Sequence, residues 1–233
     1  MPRPSLARRC FAEGLATFAL VFAGCGAIVV DSERGGSLGA TGIAAAFGLV
    51  IMAMIYATGH LSGAHINPAV SVAFSATRHF PLREVAVYMP SRLVGAVAGA
   101  LLLRVVWNGT PADLGATVPS VASGSALVYE AVMTGFLMFV IMAVATDTRA
   151  IGAAAAIAIG GTVALDSLFG GGVTGASMNP ARSFGPALVA GKWQDFWIYV
   201  AGPLLGAVAA AFAYEVVRGR EPRSTAPSSE QAG

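Results

Sequence analysis

Gly63-Ala64-His65-Ile66-Asn67-Pro68-Ala69-Val70 returns, with changes, as Gly175-Ala176-Ser177-Met178-Asn179-Pro180-Ala181-Arg182, one copy in each half of the 233-residue chain. Asn is a favoured helix N-cap, and Pro suits the first helical turn, where its missing N–H has no partner to lose. Each Asn-Pro-Ala therefore predicts a helix start. The apolar run after Asn67 ends at Arg78, and the run after Asn179 ends at about Gly191. A helix of roughly 11 residues at ~1.5 Å rise is ~16 Å long, about half of a ~30 Å hydrocarbon core. Both stretches are predicted half-helices.

Around them the chain is built for lipid. Hydrophobic residues make up 56% and charged residues 11%, against about 25% charged in soluble domains, and the mean hydropathy is +0.71. Six apolar runs are long enough to cross a bilayer: Cys10 to Val30, Leu38 to Thr58, Val85 to Val106, Ser125 to Thr146, Ile151 to Phe169 and Trp193 to Val217. The first is too long for a signal-peptide core and contains Glu13, so it is read as a span. Residues 1–9 are expected to form a cytoplasmic N-terminus, residues 10–217 the membrane domain, and residues 218–233 a polar, disordered cytoplasmic tail. Cys10 and Cys25 have no metal-ligand or disulfide spacing. No cofactor, metal or nucleic-acid partner is expected.

Arg3, Arg8, Arg9, Arg78, Arg83, Arg149, Arg218, Arg220 and Arg223 fall on one side of this layout. The other side carries Arg34 and Lys192, with Arg104 near a span end. The basic excess places both termini in the cytoplasm of a multi-pass cell-membrane protein, plasma or inner. The repeat also reaches past the Asn-Pro-Ala pair. Tyr88 and Gly95-Ala96-Val97-Ala98 match Tyr199 and Gly206-Ala207-Val208-Ala209, and Glu13 with Thr17 matches Glu130 with Thr134. An odd number of spans per half (about 10–106 and 125–217) forces opposite insertion, and inverted repeats with broken segments point to a site at the midplane. The fold class is an all-α membrane protein with six transmembrane helices and two re-entrant half-helices. The segments Leu61 to Ile66 and Gly170 to Met178 are expected to be extended, with carbonyls along a pore.

Half-helices entering from opposite faces bring two N-termini together, each with roughly +0.5 charge from its dipole. Asn67 and Asn179 can cap these helices and still offer a side-chain N–H to a permeant. Such a centre repels cations and suits a neutral solute that accepts hydrogen bonds.

These residues resemble the major intrinsic protein, or aquaporin, family over about residues 8–217. The resemblance rests on Asn67-Pro68-Ala69, on Asn179-Pro180-Ala181-Arg182-Ser183-Phe184-Gly185, on Glu13 with Glu130, and on Gly59-His60 with Gly63-Ala64-His65. It implies a homotetramer with one pore per subunit, and selection by pore diameter, hydrogen-bond donors, an Arg and half-helix dipoles. Matched position by position, the filter would be Phe47, Ser167, Ala176 and Arg182. Water-selective members usually have His where Ser167 stands. Glycerol facilitators usually have Trp where Phe47 stands and Asp where Ser183 stands. The filter region is more similar to the nodulin-26-like branch, which implies water, glycerol and uncharged metalloid acids such as arsenous and boric acid.

The resemblance further implies that Glu13 and Glu130 are buried acceptors that hold the re-entrant loops. His60 and His65 are candidates for the pore wall or for loop hydrogen bonds. Asp166, costly in a span, is a candidate for a pore vestibule or a structural hydrogen bond. Arg92 stands where the family usually has Gln and is assigned a structural role. The expected function is a passive channel for water and small uncharged solutes that excludes protons and ions. A water-selective channel is the alternative and a secondary transporter a remote one. A membrane enzyme lacks a catalytic constellation, and an adhesive junction protein would not need Arg182.

Overall fold

The computed structural model describes residues 4–147 and 154–219. Within them the chain forms α1 (Leu6–Ala19), a π-helical turn (Leu20–Cys25), α2 (Gly26–Glu33), α3 (Gly39–Ser62), α4 (Pro68–Ala76) and α5 (Leu82–Val106). After a short turn at Pro111–Gly115 come α6 (Ser123–Thr146), α7 (Ala155–Thr174), α8 (Pro180–Ala190) and α9 (Ile198–Arg218). Six helical units are long and apolar enough to span a membrane, the first being α1, the π turn and α2 taken as one. Of the tail expected at 218–233, Arg218 is the last residue of α9, and residues 220–233, Arg3, Arg149 and the expected start of the fifth span at Ile151 lie outside the described residues.

The helices meet where side chains are smallest. Gly95 of α5 packs on the backbone of α1, where an added Cβ would strike the Gly14 carbonyl. Gly206 of α9 meets the Ala131 carbonyl of α6 in the same way. Gly48 of α3 and Gly160 of α7 face each other so closely that a Cβ on either would stand 2.6 Å from the other's carbonyl oxygen. Small residues let helix backbones approach where lipid supplies no hydrophobic drive for association. The outer surface carries large apolar side chains such as Phe11, Leu49, Val94, Phe136 and Leu205, as lipid contact demands. The buried set includes Glu13, Arg92, Glu130, Asp166 and Arg182.

Several boundaries differ from the sequence reading, each for a local reason. The first span starts at Leu6, because Ser5 caps it through the Arg8 N–H and Arg9 is buried against Glu84; residues 6–9 are helix, not a separate terminus. Helix α7 continues through Gly170-Gly171-Gly172 to Thr174, so only the last few residues before Asn179 are non-helical, and Gly175, Ala176 and Met178 among them have positive φ instead of the expected extended backbone. In an apolar medium the backbone must satisfy its own hydrogen bonds, which favours helix even for Gly. Gly170 is also needed there for space, since its Cβ would collide with Met133 Sδ. Likewise α3 runs to Ser62. Both helices stop at a left-handed glycine, Gly63 (φ 92°) and Gly175 (φ 84°), the usual C-terminal device. The sixth span begins at Ile198, after a turn around Trp193–Trp197 that packs Trp193 and Phe196 on Phe184.

Candidate functional site: the channel at the meeting of the half-helices

Asn67 and Asn179 cap α4 and α8 as their sequences predict. Asn67 Oδ1 accepts from the Ala69 N–H at 2.9 Å, and Asn179 Oδ1 from those of Ala181 and Arg182 at 3.0 and 3.3 Å. Each side-chain amide also reaches across to the opposite half. Asn67 Nδ2 donates to the Met178 carbonyl at 2.7 Å, and Asn179 Nδ2 to the Ile66 carbonyl at 3.2 Å. An amide nitrogen carries two hydrogens, so this crossed pair locks the loops together and leaves one N–H on each Asn for the cavity they both line.

The loops that lead to these caps are strained. Ala64, Ile66, Ala176 and Met178 all have positive φ (45°, 57°, 43° and 53°). That conformation costs an L-residue roughly 1–2 kcal/mol, and it is an outlier for a β-branched one. Buried carboxylates hold it. Glu13 accepts from Ser62 Oγ (2.7 Å), the His65 N–H (3.0 Å) and the Ile66 N–H (2.7 Å). Glu130 accepts from Thr174 Oγ1 (2.7 Å), the Ser177 N–H (2.9 Å) and the Met178 N–H (2.8 Å). Tyr88 and Tyr199, both wholly buried, donate to the Ser62 and Thr174 carbonyls. The halves differ in one respect. Arg92 Nε donates to Glu13 at 2.8 Å, its Nη1 to the Asn67 carbonyl at 3.2 Å, and its guanidinium lies over the Tyr88 ring. Glu130 has no such cation, and Pro203 stands where the repeat would place one. The structural role assigned to Arg92 thus takes a definite form.

Two cavities adjoin at the expected filter. One, of about 130 Å³, runs past both Asn residues, His65, Phe74, Ile55, Ile159 and Val70. The other, of about 300 Å³, is lined by Ser167, Gly171, Gly172, Ile28 and Ile43. Phe47 and Ala176 line both, so they stand between the two. Arg182 lines the first and is 1% exposed, with its guanidinium over the Phe47 ring at 5.1 Å. Its Nη1 donates to the Gly115 carbonyl at 2.7 Å, while Nε and Nη2 have no partner. Buried donors without partners are expensive; these two belong to a side chain that lines the first cavity. Ser167 faces the second cavity from α7.

Two candidates from the sequence line neither of these cavities. His60 is exposed at the end of α3 and lines neither cavity, whereas His65, bonded to Ser71 Oγ at 2.7 Å and packed among Phe74, Phe80 and Tyr88, lines the first. Asp166 is wholly buried and lines neither cavity. It shares the α7 face of Gly170, which packs on Met133 of α6, one helical turn being enough to bring them into line. Neither of its oxygens has a hydrogen-bond partner among the described residues, so the structural bond weighed from sequence is not formed there, and Asp166 is not part of the wall of either cavity. Sequence reading missed the carbonyl of Gly115, the π turn that brings Leu20 into the first cavity, and the bond from Thr117 Oγ1 to Ser183 Oγ at 2.7 Å. A backbone acceptor leaves no side-chain signature, and nothing in Leu20–Cys25 distinguishes a π turn from an α turn. Among the described residues no cluster of His, Cys, Asp or Glu could hold a metal.

Residues 1–214 match the family model described as major intrinsic protein. The chain is 50% identical over 207 residues to "Aquaporin NIP1-4" of Oryza sativa subsp. japonica, a match that covers 89% of this chain and 76% of that one. It is 46% identical over 211 residues to "Nodulin-26" of Glycine max, with 91% and 78% covered. Its structure is similar to that of the aquaglyceroporin from Plasmodium falciparum, at a TM-score of 0.82 and 29% identity, covering 91% of this chain and 97% of that one.

Proposed function

The chain belongs to the major intrinsic protein family, and on that premise we propose that it conducts water together with small uncharged hydroxyl compounds such as glycerol and arsenous or boric acid. It is a membrane channel and not an enzyme. The observation that carries the solute range is a wall on which the Arg182 guanidinium, with two donors unpartnered among the described residues, lies over the Phe47 ring, with small Ala176 and Ser167 in place of a further ring. Such a wall combines an apolar ring with hydrogen-bond donors. A polyol or hydroxy-acid can exchange lost water contacts for these donors while its carbon or metalloid centre faces the ring. A water-selective pore would need the extra bulk that Ser167 lacks.

The filter set Phe47, Ser167, Ala176 and Arg182, the homotetrameric state and cytoplasmic termini in a cell membrane are parts of the same proposal. Native mass measurement in mild detergent would read the first-named assembly as four chains, and protease access to either terminus in oriented vesicles would read the topology. The test of the solute range is a paired swelling assay on proteoliposomes. Wild type passes glycerol or arsenous acid as well as water, and Ser167→His lowers the larger solute by about tenfold or more relative to water. If wild type excludes every solute larger than water, a plain water channel replaces this reading.

A further inference from the structure

The ring that walls the proposed filter rests on a residue that no filter motif includes. Gly24 lies in the π turn Leu20–Cys25 of the first span and is buried behind Phe47. A Cβ built on Gly24 would stand 2.5 Å from Cδ1 and 2.9 Å from Cζ of Phe47, and against Cε1. Heavy atoms do not pack that closely, so one whole edge of the ring occupies the space a side chain at Gly24 would take. On its face the same ring carries the Arg182 guanidinium. The backbone of Phe47 has no room to retreat, because its neighbour Gly48 is pressed on Gly160 of α7. Ring and notch are therefore matched, and the open space beside the ring is that of the two cavities that Phe47 borders.

The other half shows what the notch changes. In the fourth span the repeat places Ile141 where the first has Gly24, and in α7 it places Ile159 where α3 has Phe47. Both isoleucines line the first cavity. There, two mid-sized side chains share the wall; at the filter, one large ring is set back into a glycine. Gly24 lies within the π turn, and such single turns are frequent at functional sites.

From this geometry we infer that Gly24 determines the solute range of the channel without touching the solute, by setting how far the Phe47 ring withdraws from the opening. The inference rests on the filter reading above. With Ala at position 24 the ring is driven toward Arg182 and Ala176, and the opening closes first to the larger solute.

The test uses the purified protein in proteoliposomes at matched amounts of folded channel, with glycerol and water as probes. Gly24→Ala lowers glycerol flux relative to water by about tenfold or more, the scale of one added carbon in a tight site. Phe47→Leu removes the ring edge, so Gly24→Ala/Phe47→Leu returns to the ratio of Phe47→Leu alone. An unchanged ratio in Gly24→Ala overturns the inference. So does a double variant that stays as low as Gly24→Ala, since the added carbon would then act on the π turn and not on the ring. Should Gly24→Ala fail to fold, folding of the double variant supports the competition of ring and Cβ, and failure of both overturns it. If wild type passes water alone, the proposed solute range fails separately, and water flux through the same variants, lowered by Gly24→Ala and restored by Phe47→Leu, decides the role of Gly24.

Discussion

At the scale of residues, the two buried carboxylates perform the same task with different support. Glu13 and Glu130 each gather two loop N–H groups and one hydroxyl, and these bonds offset the positive-φ residues beside them. Among the described residues only Glu13 of the two pairs with a buried cation, Arg92, both side chains being fully shielded. Neutralising one member of a buried pair strands the other, at about 3–5 kcal/mol, whereas weakening hydrogen bonds to a carboxylate costs about 1.5–3 kcal/mol. Glu13→Gln is therefore expected to lower the unfolding temperature in detergent more than Glu130→Gln, and Glu13→Gln/Arg92→Gln to recover part of the loss. Equal losses in the two single variants would show that Arg92 is not Glu13's counter-charge. The repeat of Glu13 and Glu130 was legible because two acids in otherwise apolar runs are conspicuous. The role of Arg92 was not, because its partners are a side chain and a carbonyl far off in sequence.

At the scale of elements, the loop between α5 and α6 acts on the Arg182 side chain through its backbone. Ala112, Asp113, Leu114 and Gly115 all have positive φ (47°, 49°, 55° and 70°), a left-handed turn that only Gly takes without cost. Leu114 is wholly buried, Asp113 meets Lys192 at 3.2 Å, and the Gly115 carbonyl holds Arg182. The strain positions a single acceptor. Gly115→Ala adds a Cβ 2.9 Å from Cys25 Cβ in a backbone region that disfavours Ala. The expected result is a stability loss above about 1 kcal/mol and, in folded protein, a freer Arg182. The glycerol-to-water ratio should change in that variant while Gly109→Ala, whose Cβ meets nothing, leaves it as in wild type. The helices themselves were legible from length and hydropathy, and the half-helices from Asn-Pro-Ala. Their true ends were not: Gly170-Gly171-Gly172 reads as a break by soluble-protein propensity, yet it is helix here because lipid offers no other hydrogen-bond partner. The left-handed turn was equally hidden, since Pro111-Ala112-Asp113 fits an ordinary loop.

At the scale of the whole molecule, the inverted repeat decides where charge can sit. It points the N-termini of α4 and α8 at one another, each contributing roughly half a positive charge, and the crossed Asn67 and Asn179 amides place donors, not acceptors, at the junction. Arg182 adds a full charge beyond them, while the Glu13 charge is offset by Arg92 and the Glu130 charge is held by one hydroxyl and two loop N–H groups. A cation entering from the Arg182 side therefore meets Arg182 and then two positive helix ends. A water at the junction accepts from both Asn residues and cannot at the same time keep a donor–acceptor chain running in one direction, so proton hopping is interrupted there. The expected behaviour is osmotic water flux with a low activation energy and no proton current in planar bilayers at fixed voltage. Arg182→Val should fold, since it removes one bond to the Gly115 carbonyl and no ion pair, and should admit monovalent cations or larger solutes. If wild type carries protons, the opposed dipoles do not act as the barrier. If Arg182→Val keeps the wild-type selectivity, the barrier lies at the Asn pair alone.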